Sequence, residues 1–227
     1  MSKFLFINRF RIGNKLISEN SGSFIIAEAG VAHFGNLKKA FKLIDLAKKA
    51  GADAVKFQAY ITDELIDKDF TDWYKRYKIK EVGFSFLQKL KNYYYKKKII
   101  FLFTPHSETA IDWAKKLKLP AIKIGSGELG NYRFLEKVIL LKKPIIISTG
   151  MHTKKNLLDL KKFFVKKKYR KVIFLRCVTS YPTENNHLNL NNLATFRKIF
   201  NSAIIGYSDH TDSDLPIYFA VSNFAKV

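Results

Sequence analysis

The 227-residue sequence contains a single cysteine, Cys177, which excludes an internal disulfide and with it the disulfide-stapled secreted scaffolds. Lying within an apolar run, that thiol reads as a buried, inert side chain rather than a nucleophile. Five prolines and eleven glycines are too few for a collagenous or low-complexity chain. No apolar stretch approaches the roughly 20 residues of a membrane-spanning helix, and the opening MSKFLFINRFRIG turns polar too early for a secretory leader. A cytoplasmic protein with no membrane partner is expected. Acidic residues are scarce as well, 19 against 41 Lys and Arg, for a formal charge of +22. A field of that sign points first to nucleic acid or an anionic surface. The lysines are nevertheless dispersed over every helical stretch, among abundant Ile, Phe, Asn and Tyr, as AT-rich codon usage produces. No specific nucleic-acid partner is therefore expected, and a nucleic-acid-binding basic protein remains the alternative of a different class.

What the chain has in quantity is apolar residue, 47% hydrophobic and 15% aromatic, enough for one α/β core. Seven short apolar runs each end in polar residues: Phe24–Gly30, Ala54–Tyr60, Ile99–Pro105, Ala121–Gly127, Pro144–Gly150, Val172–Val178 and Ala203–His210. Runs of this length rich in Ile, Val and Phe read as parallel strands buried on both faces. Their starts fall 22 to 45 residues apart, the spacing of β-loop-α-loop units. Helical periodicity fills the intervals at Leu37–Lys49, Val82–Lys97, Glu108–Lys118, Tyr132–Leu141, Lys154–Lys167 and Leu190–Phe200. Residues 4–23 read as a hairpin turning at Gly13–Asn14. The insertion Ile61–Glu81, with Trp73, Tyr74 and Tyr77, is either a loop over the active-site end or a packed surface segment. Periodicity fits both an open doubly wound sheet and a barrel one unit short. The fold expected is α/β, an incomplete TIM (β/α)8-type barrel of seven strands, with residues 1–23 as a hairpin capping a barrel domain over 24–227.

Active sites of such folds lie at strand C-termini. Glu28 in IIAEAG is an acid emerging from a core strand, where a carboxylate has either a structural partner or a role in chemistry. Lys56 and Gln58 alternate along the second run and share a face, which suits an anion; the plainer reading is a lysine snorkelling past the strand end. AIKIGSGELGN brings Lys123, a glycine turn, Ser126 and Glu128 within six residues, the makings of a phosphate cradle beside a proton-handling carboxylate. It matches neither the P-loop nor GxGxxG. Hydroxyl-rich turns recur at Ser148–Thr149–Gly150 and Thr179–Ser180–Tyr181–Pro182. The seventh run ends in Ser208–Asp209–His210, where Asp209 is placed to orient the imidazole. One histidine makes no metal site by itself. His33, His106, His152 and His187 are the remaining candidates, of which His33 and His106 follow strand ends directly.

The segments IIAEAGVAHFGN, AGADAVKFQAY, FTPHS, PAIKIGSGELGNY, KPIIISTGM, LRCVTSYPT and AIIGYSDHT resemble, in order and spacing, the sialic acid (N-acetylneuraminate) synthase family. That family includes legionaminate and pseudaminate synthases and spore-coat polysaccharide relatives. The resemblance covers about residues 22–213. It implies a (β/α)8 barrel followed by an antifreeze-like domain, and condensation of phosphoenolpyruvate with an N-acylated hexosamine such as N-acetylmannosamine. The products are a nine-carbon 2-keto sugar acid and phosphate. A divalent metal, Mn2+ or Mg2+, polarises the open-chain aldehyde. By motif, Lys56, Gln58, Thr104, Lys123, Ser126, Ser148, Thr179 and Ser208 are implied as phosphoenolpyruvate-binding and Tyr181 as sugar-binding. Glu28 and Glu128 are the implied catalytic carboxylates, and His210 the first metal ligand. Ala32–His33 replaces the family's common Asn-His pair, so sugar selection is open.

On the same resemblance the chain is expected to stop short of the eighth strand with its second metal histidine, and to lack the antifreeze-like domain, on which the family's homodimer depends. Little or no synthase activity is then expected of it alone. The runner-up is another phosphoenolpyruvate–sugar condensing synthase, one that makes a deoxy-sugar phosphate, and beyond it a non-catalytic remnant.

Overall fold

A computed structural model describes residues 4–227, so the first three residues of the expected 1–23 hairpin segment lie outside the described residues. The chain divides into two compact units. One is Ile25–Lys123; the other joins the N-terminal residues up to Phe24 with Ile124–Val227.

In the unit Ile25–Lys123 the central sheet is three parallel strands in the order β3-β4-β5, with β3 at Ile26–Gly30, β4 at Ala54–Ala59 and β5 at Ile100–Pro105. The register sets Glu28 opposite Lys56 and Gln58 opposite Thr104. A bulge between Glu28 and Gly30 ends β3, with Gly30 at φ +51, a conformation that suits glycine. Phe57, Phe101 and Phe103 are fully buried, as the apolar runs require. Helix α1, Leu37–Lys49, starts where Asn36 accepts the Lys39 N–H at 3.0 Å and buries Ala40, Ile44 and Ala47. Helices α4 (Phe84–Lys97) and α5 (Glu108–Lys116) follow the expected periodicity closely, and Ser107 caps α5 through the Ala110 N–H. The insertion after β4 contains two short helices, α2 (Thr62–Leu65) and α3 (Thr71–Lys78). Helix α3 buries none of its residues and is held by polar bonds: Tyr74 hydroxyl to Asp63 at 2.8 Å, and Lys78 to both Asp63 and Glu81 at 3.1 Å.

In the other unit β1 (Arg9–Ile12) and β2 (Lys15–Ser18) form the antiparallel hairpin, with Gly13 at φ +58 in the turn. The second sheet has the order β6-β7-β8-β9: β6 Ile122–Ile124, β7 Ile145–Ser148, β8 Val172–Cys177 and β9 Ile204–Ser208. Strands β7, β8 and β9 run parallel, and the division between the units falls inside β6. Phe174 and Phe200 stack at 3.7 Å between centroids, with Phe6 and Phe164 edge-on to Phe174, an aromatic core of the kind that dominates small-domain energetics. Helices α6 (Tyr132–Ile139), α7 (Lys154–Lys166), α8 (Asn192–Ile199) and α9 (Leu215–Ser222) alternate with these strands along the chain. Asn131 caps α6, and Thr153 with Asn156 forms a capping box on α7.

Two features of the helix exits were not expected. Lys98, Lys118, Lys142 and Lys168 each take a left-handed conformation, φ 51 to 55, where α4, α5, α6 and α7 give way to the next strand. And the residues after α9 lie beside β9: the Lys226 N–H donates to Ile205 O at 2.9 Å and the Tyr207 N–H to Val227 O at 2.8 Å. Lys226 O in turn accepts the Phe24 N–H at 2.8 Å. Residues 225–227 thus occupy the place next to β9 where the expected fold puts an eighth strand, instead of leaving that edge bare. Among the described residues no helix is long and apolar enough to cross a membrane.

Candidate active site

Within Ile25–Lys123 the strand C-termini gather charge. Lys56 on β4 and Lys123 on β6 are both buried, at 5% and 6% exposure. The Lys56 ammonium is ion-paired with Glu28 and donates to the Thr104 hydroxyl at 3.2 Å. Glu28 is not the buried carboxylate that its apolar run implies: its side chain is 51% exposed, because the bulge ends β3 at this point. It holds its buried partner from the solvent side. Glu28 and Gln58 both border Gly30, where an added Cβ would stand 3.5 Å from Glu28 Oε1 and 3.8 Å from Gln58 Nε2. Glu28, Lys56, Gln58 and Thr104 are thereby brought to one place. His106, one residue past β5, joins them electrostatically: burial, then the charges of Lys56 and Lys123, push its imidazole down to about 4. Two buried ammoniums acting on a neutral imidazole make a site that favours an anion.

In the other unit the turns after β6, β7 and β8 supply hydroxyls and backbone donors. Ser126, in a one-turn 3-10 helix (Ser126–Glu128), accepts the Gly150 N–H at 2.9 Å. Thr179 Oγ1 lies directly over Gly150, so only a residue without Cβ fits there. Ser148 is buried, and Thr149 is tied to Leu175 O through its hydroxyl at 2.8 Å. Glu128 accepts from Asn131 Nδ2 at 2.7 Å, and burial raises its carboxyl above the ordinary range against the pull of that bond. Ser208 ends β9, in register with Cys177 on β8.

His210 sits against the exposed ring of Tyr181, centroids 4.1 Å apart, so the two predicted residues are together. Its Nδ1 is 2.6 Å from Val178 O, which assigns a proton to Nδ1 and leaves Nε2 as the donor atom. Cys177 Sγ is 3.8 Å from the same nitrogen. Burial opposes protonation of His210, but the contacts with Cys177 and Val178 outweigh it and the net displacement is upward. The expected role of Asp209 is corrected here. Its carboxylate takes the Tyr207 hydroxyl at 2.7 Å and the N–H and hydroxyl of Thr211, so a backbone carbonyl, not Asp209, orients the imidazole. Among the described residues no group of three or more His, Cys, Asp or Glu converges as a metal site. The residues present therefore do not by themselves fit the expected divalent ion, for which His210 Nε2 is a single donor.

The sequence pattern did not assign a role to Asn131, which caps α6 and holds Glu128, nor show why Gly150 must lack a side chain, which makes room for two hydroxyls. The Asn before a helical run was the legible signal for the first. The second was hidden, because the clash partner Thr179 is far away in sequence.

A parallel α/β protein with basic and hydroxyl side chains gathered near its strand C-termini is the class these observations define. The chain belongs to the NeuB family, whose model matches residues 43–227. It is 34% identical to the spore coat polysaccharide biosynthesis protein SpsE of Bacillus subtilis, over 89% of this chain and 57% of that protein. It is 32% identical to pseudaminic acid synthase of Campylobacter jejuni, over 96% of this chain and 66% of that one. The crystal structure of N-acetylneuraminic acid (sialic acid) synthetase from Leptospira borgpetersenii serovar Hardjo-bovis, in complex with citrate, superposes with a TM-score of 0.90 at 32% identity. That match covers 99% of this chain and 78% of that one. The chain thus spans less than two thirds of the length of the curated relatives it matches, and it is a homologue of sialic-acid-type synthases.

Proposed function

We propose that this chain carries the catalytic scaffold of a synthase that condenses phosphoenolpyruvate with an N-acylated hexosamine and water, giving a nine-carbon 2-keto sugar acid and phosphate. The observation that carries the reading is the pair of buried lysines, Lys56 beside Thr104 and Lys123, both acting on His106 in a NeuB-family chain. Lys56, Lys123, Thr104 and Gln58 hold the anionic end of phosphoenolpyruvate. In the other unit Ser126, Ser148, Thr179 and Ser208 offer hydroxyls suited to phosphate oxygens, and Tyr181 a ring suited to a sugar.

The chemistry asks for one new carbon–carbon bond, one new carbon–oxygen bond from water at C2, and one broken carbon–oxygen bond to phosphate. The enol C3 attacks the open-chain aldehyde carbon, and the aldehyde oxygen takes a proton. Water adds at C2, giving up a proton, and the C2–O bond to phosphate then breaks as the C2 hydroxyl becomes the ketone and its proton passes to the departing phosphate. Glu128, whose carboxyl is raised by burial, is suited to donate the first proton. Glu28, ion-paired and open to solvent, is suited to accept the second. A divalent ion, Mn2+ or Mg2+, would supply Lewis-acid polarisation of the aldehyde, and this chain would offer it His210 Nε2.

Calorimetric titration of phosphoenolpyruvate into the 227-residue chain tests the reading. Binding is expected, with affinity lowered about tenfold or more in Lys56→Met, the loss of one charge-assisted contact. No binding by the wild-type chain at millimolar phosphoenolpyruvate refutes it. Phosphate release across a panel of N-acyl hexosamines, N-acetylmannosamine included, identifies the acceptor.

A further inference from the structure

His106 stands where β5 leaves the sheet, two residues after Thr104, so strand alternation sends both side chains to the same face. Its N–H donates to Ala59 O at 2.9 Å, extending the β4–β5 ladder by one rung and fixing where the ring departs. Lys56 comes from β4 and Lys123 from β6. Glu28 of β3 reaches the same place through its ion pair with Lys56. On the helical side α5 opens with Glu108, and Glu64 of α2 is occupied by the N–H and hydroxyl of Thr109. The ring is largely but not wholly covered, so it is within reach of a small molecule at the strand ends. The function proposed above uses the two lysines and gives no task to the imidazole that they act upon.

We propose that His106 is a third anion-contacting group of this site, neutral while the site is empty and protonated once an anion lies beside Lys56 and Lys123. The inference rests on the anion-binding reading of the preceding section and adds to it a proton that travels with the ligand. In the empty protein the imidazole is held down by burial and by the two ammoniums. An anion seated on those ammoniums offsets their field and brings its own negative charge, which favours the imidazolium. Binding therefore takes up a proton, and by linkage a fall in pH strengthens binding.

Sulfate is the probe, because it stays a dianion from pH 5 to 8 and any proton taken up belongs to the protein. Titration in two buffers of different ionisation enthalpy should show uptake of a fraction of a proton at pH 6. The wild-type affinity should be about tenfold greater at pH 5 than at pH 8, given the ordinary imidazole value near 6.5. His106→Asn should bind without that uptake and with a flat profile. Glu28→Gln, which removes the carboxylate paired with Lys56, should keep the uptake. NMR of the wild-type imidazole needs no variant: saturating sulfate should move the His106 midpoint upward. An unmoved midpoint, or equal uptake in His106→Asn, overturns the inference. If the wild type binds phosphoenolpyruvate but His106 does not respond, only this inference falls. If it binds neither anion, the reading beneath it falls as well.

Discussion

Ser126 accepts the backbone N–H of Gly150 at 2.9 Å, tying the turn after β6 to the turn after β7. The bond is possible only because Gly150 has no side chain. A Cβ there would run into Thr179 Oγ1 and stand 3.0 Å from Ser126 Oγ and 3.1 Å from the Thr179 nitrogen. Since one of these neighbours is backbone, the strain cannot be relieved by a rotamer change alone. Gly150→Ala is expected to lower stability by about 1–3 kcal/mol in urea unfolding. Thr179→Ala in the same background should recover part of that loss, and no recovery would show that the clash lies elsewhere.

Glu128 is raised by burial while bonded to Asn131, and Gln in its place keeps an oxygen for that bond but cannot give up a proton. Glu128→Gln should leave phosphoenolpyruvate affinity within about twofold. Where the wild type releases phosphate with a given hexosamine, the variant should be slower by about a hundredfold or more. An unchanged rate would remove Glu128 from the acid–base chemistry.

The four left-handed lysines at the helix exits hold a conformation that glycine adopts without steric cost. Replacing Lys98, Lys118, Lys142 and Lys168 by Gly should each stabilise the chain by about 0.5 kcal/mol, the left-handed penalty less the added entropy of the unfolded glycine. The fourfold variant should unfold at a visibly higher urea midpoint. The corresponding alanine variants, which keep a Cβ, should show no such gain.

His33, His106 and His152 are all depressed by burial, so the unfolded chain binds protons more readily than the native one. Stability from these groups is complete above the unfolded value near 6.5 and is lost as pH falls towards the folded values. For His106 alone the loss between pH 7 and pH 5 should be about 2 kcal/mol in sulfate-free buffer. Urea midpoints at successive pH values should fall on acidification, and His106→Asn should flatten the slope. A slope identical in the two proteins would contradict the burial of that ring.

The strands were legible because fully buried parallel strands are written as unbroken apolar runs; Val172–Cys177 and Ala54–Ala59 end within a residue of where those runs end. Helix α1 was legible to the residue, since Asn36 caps it and its apolar stripe is regular. The α3 segment was not: with no buried residue it has no stripe to read, and its bonds to Asp63 and Glu81 join residues on either side of it. The site divides in the same way. Lys56 and Gln58 could be placed on one face by alternation, whereas the setting of His106 depends on Lys123, which comes from another strand. Asp209 was misassigned because adjacency in sequence says nothing of Tyr207 and Thr211, which claim its oxygens. The left-handed lysines were invisible, since a lysine codes for no particular backbone conformation.

On the anion-binding function proposed above, the Glu28–Lys56 pair makes ligand binding an exchange. In the empty protein the chain's own carboxylate already occupies the buried ammonium, and that carboxylate is the half of the pair that faces water. An incoming anion must displace it, and Glu28, being half exposed, can rehydrate at small cost. Chloride, with a single diffuse charge, competes poorly against a tethered carboxylate, while a dianion that also takes the Thr104 hydroxyl competes well. On the proposed function the resting pair sets a threshold that favours a dianion over chloride.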